Sequence, residues 1–162
     1  MLEKIERIID ECLNIYVGGE QFFDQLDYRL RLDSDIITYF IKDIITTVDF
    51  DVLIVSGNFG LAIKRYWDLA IGPFTAQRCM VTNGGLRHGR SLNILDGKVD
   101  LERKRAIFVD DSYYSGRTEN TIREMIDKNK GIFLGTYVIY DGCVTYRPWV
   151  HSYYRYYSDH GK

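Results

Sequence analysis

The chain has 162 residues, 46% hydrophobic and 27% charged, with a net charge of −2 at neutral pH. That is the balance of one globular domain, able to bury about two-thirds of its unfolded surface. It offers no general basic field for nucleic acid, and no apolar run near the roughly eighteen residues that a bilayer span requires. Cys12, Cys79 and Cys143 are odd in number and widely spaced, which argues against a disulfide framework or a zinc cluster. Together with the lack of a basic-then-apolar leader pattern, they point to the cytoplasm.

Along the chain, Leu2, Ile5, Ile8, Ile9, Cys12 and Leu13 recur at helical spacing, predicting an amphipathic helix ended by Gly18-Gly19. Phe22, Leu26, Tyr28, Leu30 and Leu32 partly alternate, so Phe22 to Leu32 read as strand-like. Asp33-Ser34-Asp35 starts a helix whose apolar face is Ile36, Ile37, Phe40, Ile41, Ile44 and Ile45. Asp51 to Val55 read as a buried strand, followed by the glycine-bearing loop Ser56-Gly57-Asn58-Phe59-Gly60 and a helix from Leu61 to Leu69. Gly72-Pro73 stops that helix, Phe74 to Val81 form the next expected strand, and Thr82 to Lys98 are polar and glycine-rich. Ala106 to Val109 read as a strand, Thr118 to about Lys128 as a helix, and Gly131 to Tyr140 as the final apolar strand. Strand–helix alternation from 51 to 140 predicts an α/β fold built of βαβ units on a parallel sheet.

The densest chemistry lies between the strand at Ala106 and the helix at Thr118. Asp110 and Asp111 fall at the carboxyl end of an apolar strand, where open α/β sheets place their ligands. Ser112 to Thr118 then bring small and hydroxylated side chains and one glycine, which lets backbone N–H groups converge on an anion. Ile122, Met125 and Ile126 continue at helical spacing, so this turn opens onto a helix N-terminus with its partial positive charge. The combination describes a socket for a sugar phosphate, with carboxylates for hydroxyls and a nest for the phosphate. Ser56 to Gly60 form a second, weaker candidate of the same kind.

Val109-Asp110-Asp111-Ser112-Tyr113-Tyr114-Ser115-Gly116-Arg117-Thr118 resembles the signature of the type I phosphoribosyltransferases, which bind phosphoribosyl pyrophosphate (PRPP). The shared pattern is an apolar strand, two acidic residues, three variable positions and a Thr/Ser-Gly-x-Thr turn. The resemblance implies that Asp110 and Asp111 hold the ribose 2- and 3-hydroxyls, and that Ser112 and Tyr114 to Thr118 surround the 5-phosphate. It also implies that Ser56, Gly57, Asn58, Phe59 and Gly60 receive the pyrophosphate. Pro73-Phe74-x-x-x-Arg78 followed by Arg87-His88-Gly89-Arg90 is similar to the orotate subfamily, where such cations close over the leaving group.

The fold so implied is a Rossmann-type parallel sheet flanked by helices. It would be a single domain over 1–162, with a core of about 50–141 and a small hood from 1–50 and 142–162. Arg87 and His88 join Asp110 and Asp111 as expected catalytic residues, and Arg78 and Arg90 as binding residues. Mg²⁺ is the implied cofactor, held through substrate and water near the two aspartates without a direct protein ligand set. The expected partners are PRPP and a nucleobase or nucleotide, in a homodimer.

The chain departs from the subfamily in places. Cys79 and Leu86 stand at lysine positions, and Tyr114 stands where purine-specific relatives carry an aspartate, which argues against a hypoxanthine-type acceptor. Arg87 replaces the loop lysine as a charge but cannot give up a proton. Three readings therefore stand side by side: an orotate-like phosphoribosyltransferase, a regulator of the same fold that binds PRPP or a nucleotide without turnover, and a doubly wound domain with a chance acidic turn that acts as an interaction module through its tyrosine-rich tail. Trp149 or Tyr146 either stacks a base or packs a hood or interface, and the tyrosine cluster from Tyr153 to Tyr157 is open in the same way.

Overall fold

The structure, a computed structural model, describes residues 1–15, 19–70, 79–83, 93–94 and 100–155. Three helices come first: α1 (Leu2–Ile15), α2 (Gly19–Leu32) and α3 (Ser34–Thr47). Then follow β1 (Val52–Val55), α4 (Gly57–Ala70), β2 (Cys79–Asn83) and β3 (Asn93–Ile94). The chain continues through β4 (Arg105–Tyr113), α5 (Arg117–Lys128), β5 (Ile132–Asp141) and β6 (Val150–Arg155). The strands form one sheet in the order β3-β2-β1-β4-β5-β6. Every pairing from β2 to β6 is parallel, and β3 runs antiparallel to β2 at the edge.

Alternation along the central strands divides the core. Leu53, Val55, Ile107, Val109 and Ile139 face the helices α1 to α4, where Ile5, Leu26, Ile37, Ile41 and Phe59 pack against them. Val52, Ile54, Ala106 and Phe108 face the other way, onto Ile122 and Ile126 of α5. A strand buried on both faces reads as a continuous apolar run, and β1 is fully buried along its length. Asp33 caps α3 through its side chain, accepting from the N–H groups of Asp35 and Ile36 at 3.1 Å each.

The segment Phe22–Leu32, expected as strand-like, is helical. Its buried members are Phe22, Phe23, Leu26 and Leu30, a helical stripe, whereas Tyr28 and Leu32 from the alternating set are 52% and 63% exposed. The alternation arose because exposed Tyr28 and Leu32 fall two residues from the buried Leu26 and Leu30. Three further expectations shift. The motif strand runs past Val109 through Asp110 and Asp111 to Tyr113, drawn out by eight paired positions with β5. Thr82, Asn83, Asn93 and Ile94, expected in a polar stretch, form a short hairpin-like pairing at the sheet edge. The strand after Gly131 is not the last: Val150–Arg155, expected in the hood, pair parallel with β5 and widen the core sheet. The part of the expected strand before Cys79, from Phe74 to Arg78, lies outside the described residues.

Candidate functional site

Two strand-to-helix turns sit side by side because β1 and β4 are neighbours in register, Val55 opposite Val109. At the first, Ser56 is buried, Gly57 adopts φ +60, and the Gly60 N–H donates to the Ser56 carbonyl at 2.9 Å to open α4. At the second, the Asp111 N–H donates to Asp110 Oδ1 at 2.9 Å and the Ser112 N–H to Asp111 Oδ1 at 3.0 Å. Gly116 then turns at φ +80 and its carbonyl accepts the Asn120 N–H at 2.9 Å, starting α5. First-turn N–H groups have no partner within their own helix, so both helices present donors and the positive ends of their dipoles at these turns.

Both turns open onto one cleft of about 500 Å³. Of the residues expected from sequence, Ser56, Gly57, Asn58, Phe59, Asp110, Asp111, Ser112, Tyr114, Ser115, Gly116, Arg117 and Thr118 all line it. Gly60 does not; it serves the turn through its hydrogen bond. Arg78, Arg87, His88 and Arg90 lie outside the described residues. The cleft also has a wall that sequence reasoning missed. Asp24, Asp27, Tyr28 and Arg31 of α2 line it, spaced so that they share one helical face. That spacing was the available signal, and it was hidden by reading the segment as a strand. Phe23 docks the wall, stacking on Tyr114 with ring centroids 4.5 Å apart and packing so closely on Gly142 that a β-carbon there would overlap the Phe23 ring.

Carboxylates dominate the cleft: Asp24, Asp27, Asp110, Asp111 and Glu119 line it against Arg31 and Arg117. Burial, reinforced by the facing Asp111, pushes the Asp27 carboxyl well above its ordinary value. Burial and then Asp111 do the same to Asp110, and burial raises Asp111 against the pull of Arg31. Among the described residues, Asp27 Oδ1 is shielded from water and accepts no hydrogen bond. A raised folded-state value means the stability from Asp27 is complete below its ordinary 3.8 and is lost as pH rises through the folded value. Asp27→Asn is therefore expected to raise the melting temperature at pH 7.5 by about 3 °C, roughly 1 kcal/mol, with little gain at pH 4. Thermal denaturation at the two pH values checks this, and a variant that melts lower at pH 7.5 contradicts it.

Beneath the second turn lies a buried polar network. Glu119, 1% exposed, accepts from the Tyr113 hydroxyl at 2.7 Å, the Thr136 hydroxyl at 2.5 Å and the Trp149 indole N–H at 2.9 Å. Arg147 Nη1 donates to the Tyr113 oxygen. Burial, then Glu119, raises the Tyr113 phenol above its usual value, which keeps it a donor. Trp149 is thus committed to Glu119, and neither it nor Tyr146 lines the cleft. Phe23, Tyr28 and Tyr114 are aromatic residues that do.

Among the described residues no three carboxylate, imidazole or thiol groups gather closely enough to enclose a metal ion. The donor set is nonetheless hard oxygen, from Asp24, Asp27, Asp110 and Asp111. A cation such as Mg²⁺, which keeps few protein ligands and completes its shell with substrate and water, fits these residues.

No family model matches the sequence, and no curated protein matches it. Solved structures do. The chain is similar to the adenine phosphoribosyltransferase of Thermoanaerobacter pseudethanolicus at 15% identity and a TM-score of 0.55, over 77% of this chain and 83% of that one. It is similar to a purine phosphoribosyltransferase of Pyrococcus horikoshii at 15% and 0.51, over 76% and 82%. The orotate phosphoribosyltransferase of Mycobacterium tuberculosis, solved with PRPP, aligns at 13% and 0.50, over 85% and 75%. The chain has the α/β fold of the type I phosphoribosyltransferases. Among the described residues, no helix is long and apolar enough to cross a membrane.

Proposed function

We propose that this protein binds PRPP and transfers its 5-phosphoribosyl group to a ring nitrogen of a nucleobase with the help of Mg²⁺. One observation carries the reading: two helix N-termini and the Asp110-Asp111 pair open onto the same cleft. A ligand with a phosphate at one end, hydroxyls in the middle and a pyrophosphate at the other matches that order of groups. Asp110 and Asp111 accept the ribose hydroxyls, Ser115 to Thr118 take the 5-phosphate, and Ser56 to Phe59, with Arg78 and Arg87, take the pyrophosphate. As the ribose C1–O bond to pyrophosphate breaks and the C1–N bond forms, positive charge develops on the sugar. The aspartates hold the ring in place and face that charge, so catalysis is mainly positional and electrostatic. Mg²⁺, when bound, neutralises phosphate charge in an acidic cleft.

An orotate-like pyrimidine acceptor is the finer form of this reading and rests on the resemblance of Arg78, Arg87, His88 and Arg90. The homodimer and the cytoplasmic setting rest on the family resemblance and the cysteine usage. A second reading, a PRPP-binding regulator without turnover, is favoured by Cys79 at the head of β2, where the subfamily carries lysine. Pyrophosphate release from PRPP and Mg²⁺ across a panel of nucleobases, orotate and uracil included, separates the two. Release with one base and not the others is the expected result, and release with none, despite measurable PRPP binding, leaves the regulator.

A further inference from the structure

Arg147 lies in the segment between β5 and β6 and is not among the residues that line the cleft. Its guanidinium reaches the second turn. Nη1 donates to the Tyr113 oxygen, and the guanidinium carbon lies 5.5 Å from the centre of the Tyr113 ring. A β-carbon on Gly116 would overlap Arg147 Nη1 and come within 2.6 Å of the Tyr113 oxygen. The guanidinium therefore rests against the backbone of the turn, with no side chain between.

Among the described residues its hydrogen-bond partner is a phenol rather than a carboxylate, with Asp141 and Glu119 near enough to feel its charge. Tyr113 is in turn fixed by Glu119, which is held by Thr136 of β5 and by Trp149. The anchor thus ties the first turn of α5 to the sheet in contact with the glycine of the anion nest.

We propose that Arg147 is a positioning residue for the 5-phosphate, holding the Ser115–Thr118 turn in its anion-binding shape and setting a positive charge behind it. The inference rests on the phosphoribosyl reading of the cleft. A nest binds through N–H groups whose directions depend on the left-handed Gly116, and the Arg147–Tyr113–Glu119 brace fixes that residue from below. A guanidinium against the backbone of Gly116 adds attraction for an anion held by that turn, without offering the ligand a flexible side chain. Among the described residues the contacts of Arg147 are with the second turn, so the loss is expected at the 5-phosphate end and not at the pyrophosphate end.

The test compares two probes, ribose 5-phosphate and inorganic pyrophosphate, each with Mg²⁺, by calorimetry on the full chain. Arg147→Ala is expected to weaken ribose 5-phosphate about tenfold while pyrophosphate stays within about twofold. Arg147→Lys is expected to recover most of the loss, because the charge returns although the planar fork does not. Unchanged ribose 5-phosphate affinity in Arg147→Ala, or an equal loss for both probes, overturns the proposal. So does Arg147→Lys binding no better than alanine. If the wild-type chain binds inorganic phosphate through Arg147 but not PRPP, the phosphoribosyl reading fails and the positioning role stands. If it binds no phosphate compound, both fail.

Discussion

The double variant Asp110→Asn, Asp111→Asn is expected to lose PRPP binding while melting at a higher temperature than the wild-type chain. The two effects have one origin. In the folded chain both carboxyls sit above their ordinary 3.8, raised first by burial. For such groups the stabilising contribution is full below 3.8 and disappears as pH climbs through the folded value, so at pH 7.5 their ionisation opposes folding. Asparagine removes the charge but keeps an Oδ1 able to accept the Asp111 and Ser112 N–H bonds, so the local turn survives. What it cannot do is accept both hydroxyls of a ribose as an anion. Charge-assisted hydrogen bonds contribute about 1.5–3 kcal/mol each, so losing two implies binding weakened at least a hundredfold or so. Calorimetry with PRPP and Mg²⁺ beside a melting curve at pH 7.5 reads both. Unchanged affinity would sink the site assignment, and lower stability would contradict the electrostatic account of the cluster.

Gly116→Ala is the second large effect, and here stability and binding fall together. A left-handed conformation costs an alanine about 1–2 kcal/mol. The new β-carbon would also stand 2.6 Å from the oxygen of Tyr113, a 4%-exposed side chain that is bonded to Glu119 and has nowhere to withdraw. Displacing it breaks a buried hydrogen bond at roughly another 1–2 kcal/mol. A total of about 3 kcal/mol lowers the melting temperature by around 8 °C for a chain of this size. Ribose 5-phosphate affinity falls with it, while a variant such as Gly57→Ala leaves the Tyr113 contact alone, since nothing lies within 4 Å of a β-carbon there. If Gly116→Ala melts like the wild type, the packing beneath the turn is not as described.

Much of the site was written locally in the sequence. Asp110 to Thr118 and Ser56 to Phe59 are contiguous runs whose residue types follow from the chemistry of an anion, and both fall where the parallel sheet requires them. The α2 wall was missed because the exposed Tyr28 and Leu32 fall two residues from the buried Leu26 and Leu30 and make a helical stripe resemble alternation. Once the helix is known, Asp24, Asp27, Tyr28 and Arg31 fall on one face without further information. The brace under Gly116 is of a different kind. Tyr113 occupies a variable position of the motif; its partner Glu119 comes from the first turn of α5, and Thr136, Arg147 and Trp149 are brought to this pair by β5 and by the segment that leads into β6. Contacts made 17 to 34 residues apart carry no local pattern. Trp149 and Tyr146 illustrate the same point: composition marked them as aromatic, and only the packing shows that they do not face the cleft.

The placement of β4 between β1 and β5 also sets the order in which the molecule can come into being. Asp27 leaves the ribosome about 80 residues before Asp110, several seconds at ordinary rates of synthesis. During that interval α1 to α4 and β1 can collapse on their shared apolar face before Asp110 and Asp111 are there to repel Asp27. The like charges meet only when β4 slots in beside β1, and β5 then closes the far side of it. Nascent chains therefore commit to the scaffold before they incur the electrostatic cost of the cleft, and a truncation ending ahead of β4 would be a partly collapsed protein with a wall and no site.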